Sequence, residues 1–138
     1  MEPTRLRAIL ARAPGLVASH LFACLTGGEA VAGALPPQLP QDLLPTLLSS
    51  PLPARTKAWL EGCNHNLIDS DLRWIEANDC QIMCCLDPDF PPALVQLQPA
   101  PAMLYVRGSR LSLSAPQLAI VGSRQATAAA KDTAHRFA

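Results

Sequence analysis

The stretch "QLAIVGSRQAT", residues 117–127, holds the residue types most able to meet a phosphate. An apolar run ends in Gly122, Ser123 and Arg124, and Thr127 opens an alanine-rich segment. A glycine at a strand-to-helix turn lets the backbone bend sharply, and no Cβ bars an approaching phosphate. Ser123 and Thr127 bring hydroxyl donors. Arg124 brings a planar, permanently charged fork that matches phosphate oxygens. The helix that follows presents free N–H groups and the positive end of its dipole. Against this stands a plain reading: any such connection can contain Gly and Ser, and Arg124 can simply be solvated. The two better-known phosphate loops are absent. After Gly122 come Ser123, Arg124, Gln125, Ala126 and Thr127, which is not G-x-G-x-x-G, and no Gly-Lys-Ser/Thr occurs.

The elements needed to hold such a loop follow from apolar spacing. "QLAIV" predicts a strand and "TAAAKDTAHRFA" a helix from Thr127 onward. Upstream, "QIMCCL" and "MLYVRG" are two further strand candidates, the second closed by Gly108. "DPDFPP" between them is a turn opening a helix over "ALVQLQ", and "SRLSLSAP" is a connector. The earlier part is helical. Leu6, Ile9, Leu10 and Ala13 share one helical face, and Leu16, Leu21, Cys24 and Leu25 continue one beyond Pro14-Gly15. Gly27-Gly28 ends that second helix, and "EAVAGAL" predicts a third, short one. Residues 36–53 contain six prolines and predict a linker with one helical turn around 43–48. "ARTKAWLEG" predicts a helix closed by Gly62, and "DSDLRWIEANDC" another capped by Asp69 or Ser70.

A second phosphate candidate is the Pro14-Gly15 turn, since two short helices joined by a glycine-containing turn can offer backbone amides. Val17 stands where a second glycine would help, so a hairpin serving packing is preferred. No catalytic constellation is found. His20, His65 and His135 lie on separate elements, and capping accounts for Asp69 and Asp71. No cofactor is expected.

In 138 residues, 49% are hydrophobic and only 4% aromatic, so the core must be built from Leu, Ala, Val and Ile. The net charge is zero but unevenly spread. Residues 1–12 set Arg5, Arg7 and Arg12 against Glu2, a net of +2. Residues 13–100 carry three basic and nine acidic side chains, a net of −6. Residues 101–138 set Arg107, Arg110, Arg124, Lys131 and Arg136 against Asp132, a net of +4. That asymmetry fits an anionic partner for the last part as well as it fits a solvated surface. The five cysteines have neither the even count nor the spacing of a disulfide framework. Cys63, His65 and "CQIMCC" lack a C-x-x-C pair, so free thiols are preferred to zinc. No apolar run approaches the roughly 18 residues of a membrane span, and the N-terminus lacks a signal-peptide pattern. A cytosolic location is expected.

Taken in order, several of these motifs resemble the start of the DNA-processing protein A (DprA/Smf) family. An LxxxPG hairpin is followed by Asp87, Pro88, Phe90, Pro91 and Leu94. Pro99 and Pro101 precede the apolar run 104–108, and "AIVGSR" at 119–124 leads to Thr127. The resemblance is specific over 87–127 and looser over the helical N-terminus. It implies a helical SAM-like or helix–hairpin–helix-like domain over residues 1–75, with the Pro-rich segment 36–53. The beginning of a Rossmann-like parallel-sheet domain would occupy 76–138. It also implies cytoplasmic proteins of natural transformation. They bind and protect incoming single-stranded DNA, help load a RecA-type recombinase, form homodimers and are not enzymes. Gly122, Ser123 and Arg124 would belong to the DNA-phosphate loop, with Arg107, Arg110 and Lys131 as secondary basic contacts unless merely solvated.

This sequence departs from the family in Ala128, Ala129 and Ala130, where an aromatic and a glycine are usual. The family's Rossmann domain also continues well beyond residue 138, so the chain is expected to be a fragment or a shortened product. Two other functions remain open. One is a nucleotide-binding or nucleotide-hydrolysing Rossmann protein. The other is a helical module that docks a protein.

Overall fold

A computed structural model describes residues 2–27, 39–40 and 42–138. Pro3, whose missing N–H costs nothing in a first helical turn, opens α1 (Pro3–Ala11). Leu6, Ile9 and Leu10 on its inner face are fully buried. The chain turns at Pro14-Gly15 into α2 (Ala18–Thr26), which ends at Gly27 in the left-handed conformation. Gly15 also takes a positive φ, and the Arg55 guanidinium lies where a Cβ would project. Two further bonds tie this hairpin to α4 (Ala54–Glu61): Thr56 Oγ1 donates to Pro14 O at 2.7 Å and Trp59 Nε1 to Ile9 O at 2.9 Å. On its other side, Ala18 N donates to Ala100 O at 3.0 Å. The Pro14-Gly15 turn is therefore built into the packing of its neighbours.

Gly28 and the helix expected over "EAVAGAL" lie outside the described residues. In the Pro-rich segment the single turn expected is a longer helix, α3 (Leu43–Ser49). Pro45 sits in its first turn, where proline is tolerated, and Leu43 and Leu47 are buried. Gly62 closes α4 as the spacing predicts.

The next helix, α5 (His65–Ala77), starts earlier than expected. Its cap is Asn64, whose Oδ1 accepts from Leu67 N at 3.3 Å, so neither Asp69 nor Ser70 caps it. Asp69 and its neighbour Asp71 serve another purpose. Asp69 bonds Arg5 and Asp71 bonds Arg12, which fastens α5 to α1.

Strand β1 (Cys80–Cys84) pairs antiparallel with β2 (Met103–Arg107), with Ile82 opposite Tyr105 and Cys84 opposite Met103. Cys85 N to Ala102 O, at 2.9 Å, extends the ladder by one bond. Between the strands, α6 (Pro92–Val95) covers only the start of "ALVQLQ". Beyond β2, Arg110–Ser114 form a 3-10 turn. One apolar cluster runs from Leu6, Ile9 and Leu21 through Leu47 and Ile68 to Met83, Phe90 and Val106, across the boundary expected near residue 75. Cys80, Cys84 and Cys85 are buried in it and act as small apolar side chains. Its bond to Cys84, together with burial, pushes the Cys85 thiol pKa well above its ordinary value.

The strand expected at 117–121 does not form. These residues are outside any ladder, and Leu118 and Val121 are 72% and 90% exposed. An apolar β pattern becomes a strand only where a neighbour accepts its N–H groups, and the two-stranded β1–β2 sheet stands elsewhere. The sheet is also antiparallel, so the parallel arrangement expected of residues 76–138 is not displayed among the described residues. Helix α7 (Ala128–Phe137) does form where the alanines predict it.

Candidate functional site

Two groupings of polar residues bear on function. The first is the loop before α7. Thr127 Oγ1 accepts from Ala130 N at 3.2 Å, so this hydroxyl caps the helix. Ser123 Oγ accepts from Gln125 N at 3.1 Å and shapes the turn at Arg124. The N–H groups of Ala128 and Ala129 belong to the first helical turn, which has no intrahelical acceptors. Gly122 has open space where a Cβ would project. Its φ is not among the positive ones, so its backbone does not require glycine; only something arriving from outside would gain from the missing side chain. Arg124 is exposed and has no ion-pair partner among the described residues. Residues 120–123 and 125–127 face Ala130, Lys131 and Ala134 across an open cleft. All four residues of the predicted loop, Gly122, Ser123, Arg124 and Thr127, thus lie together at the N-terminus of α7.

The second grouping was missed by sequence reasoning. Asp87, in the "DPDF" turn, is buried and central to an ion cluster. Arg7 grips it with both terminal nitrogens, Nη1 to Oδ2 at 2.6 Å and Nη2 to Oδ1 at 2.7 Å. Cys84 N and Arg110 Nη2 each donate to Oδ2 at 3.0 Å. Arg110 also bonds Asp89, and Arg7 Nη1 donates to Ile82 O at 2.8 Å. Burial alone would push the Asp87 carboxyl up, but the Arg7 bonds, the Cys84 amide and the nearby positive charges together hold it below its ordinary value. The same bonds raise the Arg7 pKa against the cost of desolvation. Both directions say that the pair stays charged. This is a clasp joining α1, the β1 end and the segment after β2.

The clasp changes the reading of charge. Arg5, Arg7 and Arg12, the basic excess of the first twelve residues, are each paired with an acid of the middle segment. Arg110 is likewise engaged with Asp87 and Asp89 and is not free as a secondary contact. Arg107 stays exposed at the end of β2, and Lys131 borders the cleft beside α7. A faint signal for the clasp was present in the sequence: an aspartate directly after the apolar run 82–86, with three arginines spaced along one predicted helix.

No helix among the described residues is long and apolar enough to cross a membrane. No curated protein and no solved structure matches the chain. The model of one family, DNA recombination-mediator protein A, matches residues 81–138. The matched part holds most of β1, the Asp87, Asp89 and Arg110 side of the clasp but not Arg7, and also β2, the loop at 122–127 and α7. Over these residues the chain is similar to the DNA recombination-mediator protein A family.

Proposed function

We propose that the chain binds single-stranded DNA through the loop before α7 and acts in recombination as a binding protein, not as a catalyst. The observation that carries this reading is the family match, which spans the whole loop. The geometry supports it. Arg124 is an exposed guanidinium, the first amides of α7 are open, and Gly122 leaves room for close approach. In this reading Arg124 holds a phosphate and the backbone N–H groups of Gly122 and Ser123 assist. Thr127 contributes by fixing the helix start. Such contacts read the backbone and not the bases, so affinity falls with salt and depends little on sequence. Delivery of the bound strand to a RecA-type recombinase, and pairing of two copies, follow as the wider role the family implies.

The test is binding of a fluorescent oligo-dT strand over a range of salt concentrations, for the native chain and for Arg124→Ala. Loss of one phosphate contact is expected to weaken binding and to lower the log–log salt slope by about one. Equal affinity and equal slope for the two proteins would remove Arg124 from the site and the reading with it.

A further inference from the structure

Two large aromatic side chains outside the loop cleft stand half in water. Trp74 is 54% exposed and Tyr105 47%. They come from different elements, α5 and β2, yet line one surface cleft, whose other walls are Ala11, Arg12 and Asp71. The floor is fixed. Arg12 grips Asp71 through Nε and through Nη2, the latter at 2.8 Å, so the charges of this pair cancel locally. Neither the indole N–H nor the phenol hydroxyl makes a side-chain hydrogen bond among the described residues. Side chains two apart on a strand share a face, which sets Arg107 beside Tyr105. Arg107 is exposed and has no ion-pair partner among the described residues.

A cleft with aromatic walls and a neutralised polar floor fits a flat, uncharged group with a polar edge. A basic residue on the same face fits an anionic link to the next such group. Nucleobases joined by phosphates have both properties. Stacking on tryptophan or tyrosine is tolerant of base identity because every base has a π-face.

We propose that the Trp74–Tyr105 cleft stacks a base of single-stranded nucleic acid, as a contact separate from residues 122–127. Arg12 and Asp71 meet the base edge, and Arg107 meets a neighbouring phosphate. This goes beyond the loop, which would hold only phosphate.

The experiment follows Trp74 emission in a Trp59→Phe background, since the chain has two tryptophans. The probes are oligo-dT, an abasic strand of the same length and a proline-rich peptide. Quenching by oligo-dT but not by the abasic strand is expected. It persists in Arg124→Ala, which separates this cleft from the loop. Trp74→Ala, at an exposed position, is expected to weaken oligo-dT binding about tenfold while leaving the far-ultraviolet spectrum unchanged. Unchanged Trp74 emission with oligo-dT overturns the proposal, whether or not the strand binds elsewhere. So does equal quenching by the abasic strand, or quenching by the peptide alone.

Discussion

Replacing Asp87 by Asn keeps the side chain's shape and removes its charge. In the folded protein Oδ2 accepts three bonds, from Arg7, Cys84 N and Arg110, and Oδ1 accepts one from Arg7. The best the amide can do is to leave its oxygen at Oδ2. Its NH2 then faces Arg7 Nη2, donor against donor; Arg7 loses its one carboxylate partner among the described residues, while Arg110 keeps Asp89. The Asp87 side chain is 5% exposed and that of Arg7 18%, so water offers little repair. Breaking a buried pair from one side costs about 3–5 kcal/mol. Arg7 keeps its bond to Ile82 O, which puts the expected loss near the lower end.

Urea unfolding followed by far-ultraviolet circular dichroism measures this loss. With a slope of about 2 kcal/mol/M, a loss of about 3 kcal/mol lowers the midpoint by roughly 1.5 M. Asp89→Asn is the control. Asp89 has a side chain 40% exposed and, among the described residues, bonds only Arg110, so its loss should stay within about 1 kcal/mol. Arg7→Met combined with Asp87→Asn should cost less than the two single changes together, because each single change strands the other's partner. A midpoint for Asp87→Asn within the error of the native one, or strict additivity in the double variant, would refute the clasp as a source of stability.

The clasp also fixes an acid response. The Asp87 carboxyl is held below its ordinary value in the folded chain, so on acidification the unfolded chain binds that proton first. Its contribution is complete above the ordinary carboxylate range and is lost as pH falls below that range through the folded value; urea midpoints measured down the acid limb should show a smaller loss in Asp87→Asn than in the native chain. At the other end of the molecule, Thr127→Ala removes the cap on Ala130 N and should destabilise α7 by about 1 kcal/mol. Hydrogen exchange of the α7 amides should then quicken several-fold while the urea midpoint stays in place, since α7 contributes no side chain to the buried cluster.

How much of this was legible in the sequence depended on whether a feature is local. Helix α1, the Gly62 stop, both strands of the sheet and α7 follow from apolar spacing and terminators within a dozen residues. The loop was legible for the same reason, since Gly122, Ser123, Arg124 and Thr127 lie within six positions of one another. What the sequence hid was pairing at a distance. Asp69 and Asp71 have the look of caps because aspartate favours helix starts, yet their partners lie about sixty residues back on α1. Asp87 and Arg7 are eighty residues apart. The segment 117–121 shows the converse error: its β pattern is strong, but a pattern supplies no neighbouring strand.

These distant pairings also sharpen the electrostatic case for the loop. On composition, the basic excess after residue 100 fits an anionic partner as well as a solvated surface, and residues 1–12 carry a second, smaller excess. Folding separates them. Arg5, Arg7, Arg12 and Arg110 each meet a carboxylate, and a guanidinium so matched has little field left for phosphate. Arg107 and Arg124 meet none among the described residues, and each stands beside a feature able to hold another part of a nucleotide. Arg124 adjoins the open amides at the start of α7, and Arg107 shares a face with Tyr105. A strand engaging both would be held by phosphate at one place and by a stacked base at the other. The two contacts would then differ in salt response: Arg124→Ala should flatten the dependence on salt, whereas Trp74→Ala should lower affinity by a similar factor at every salt concentration.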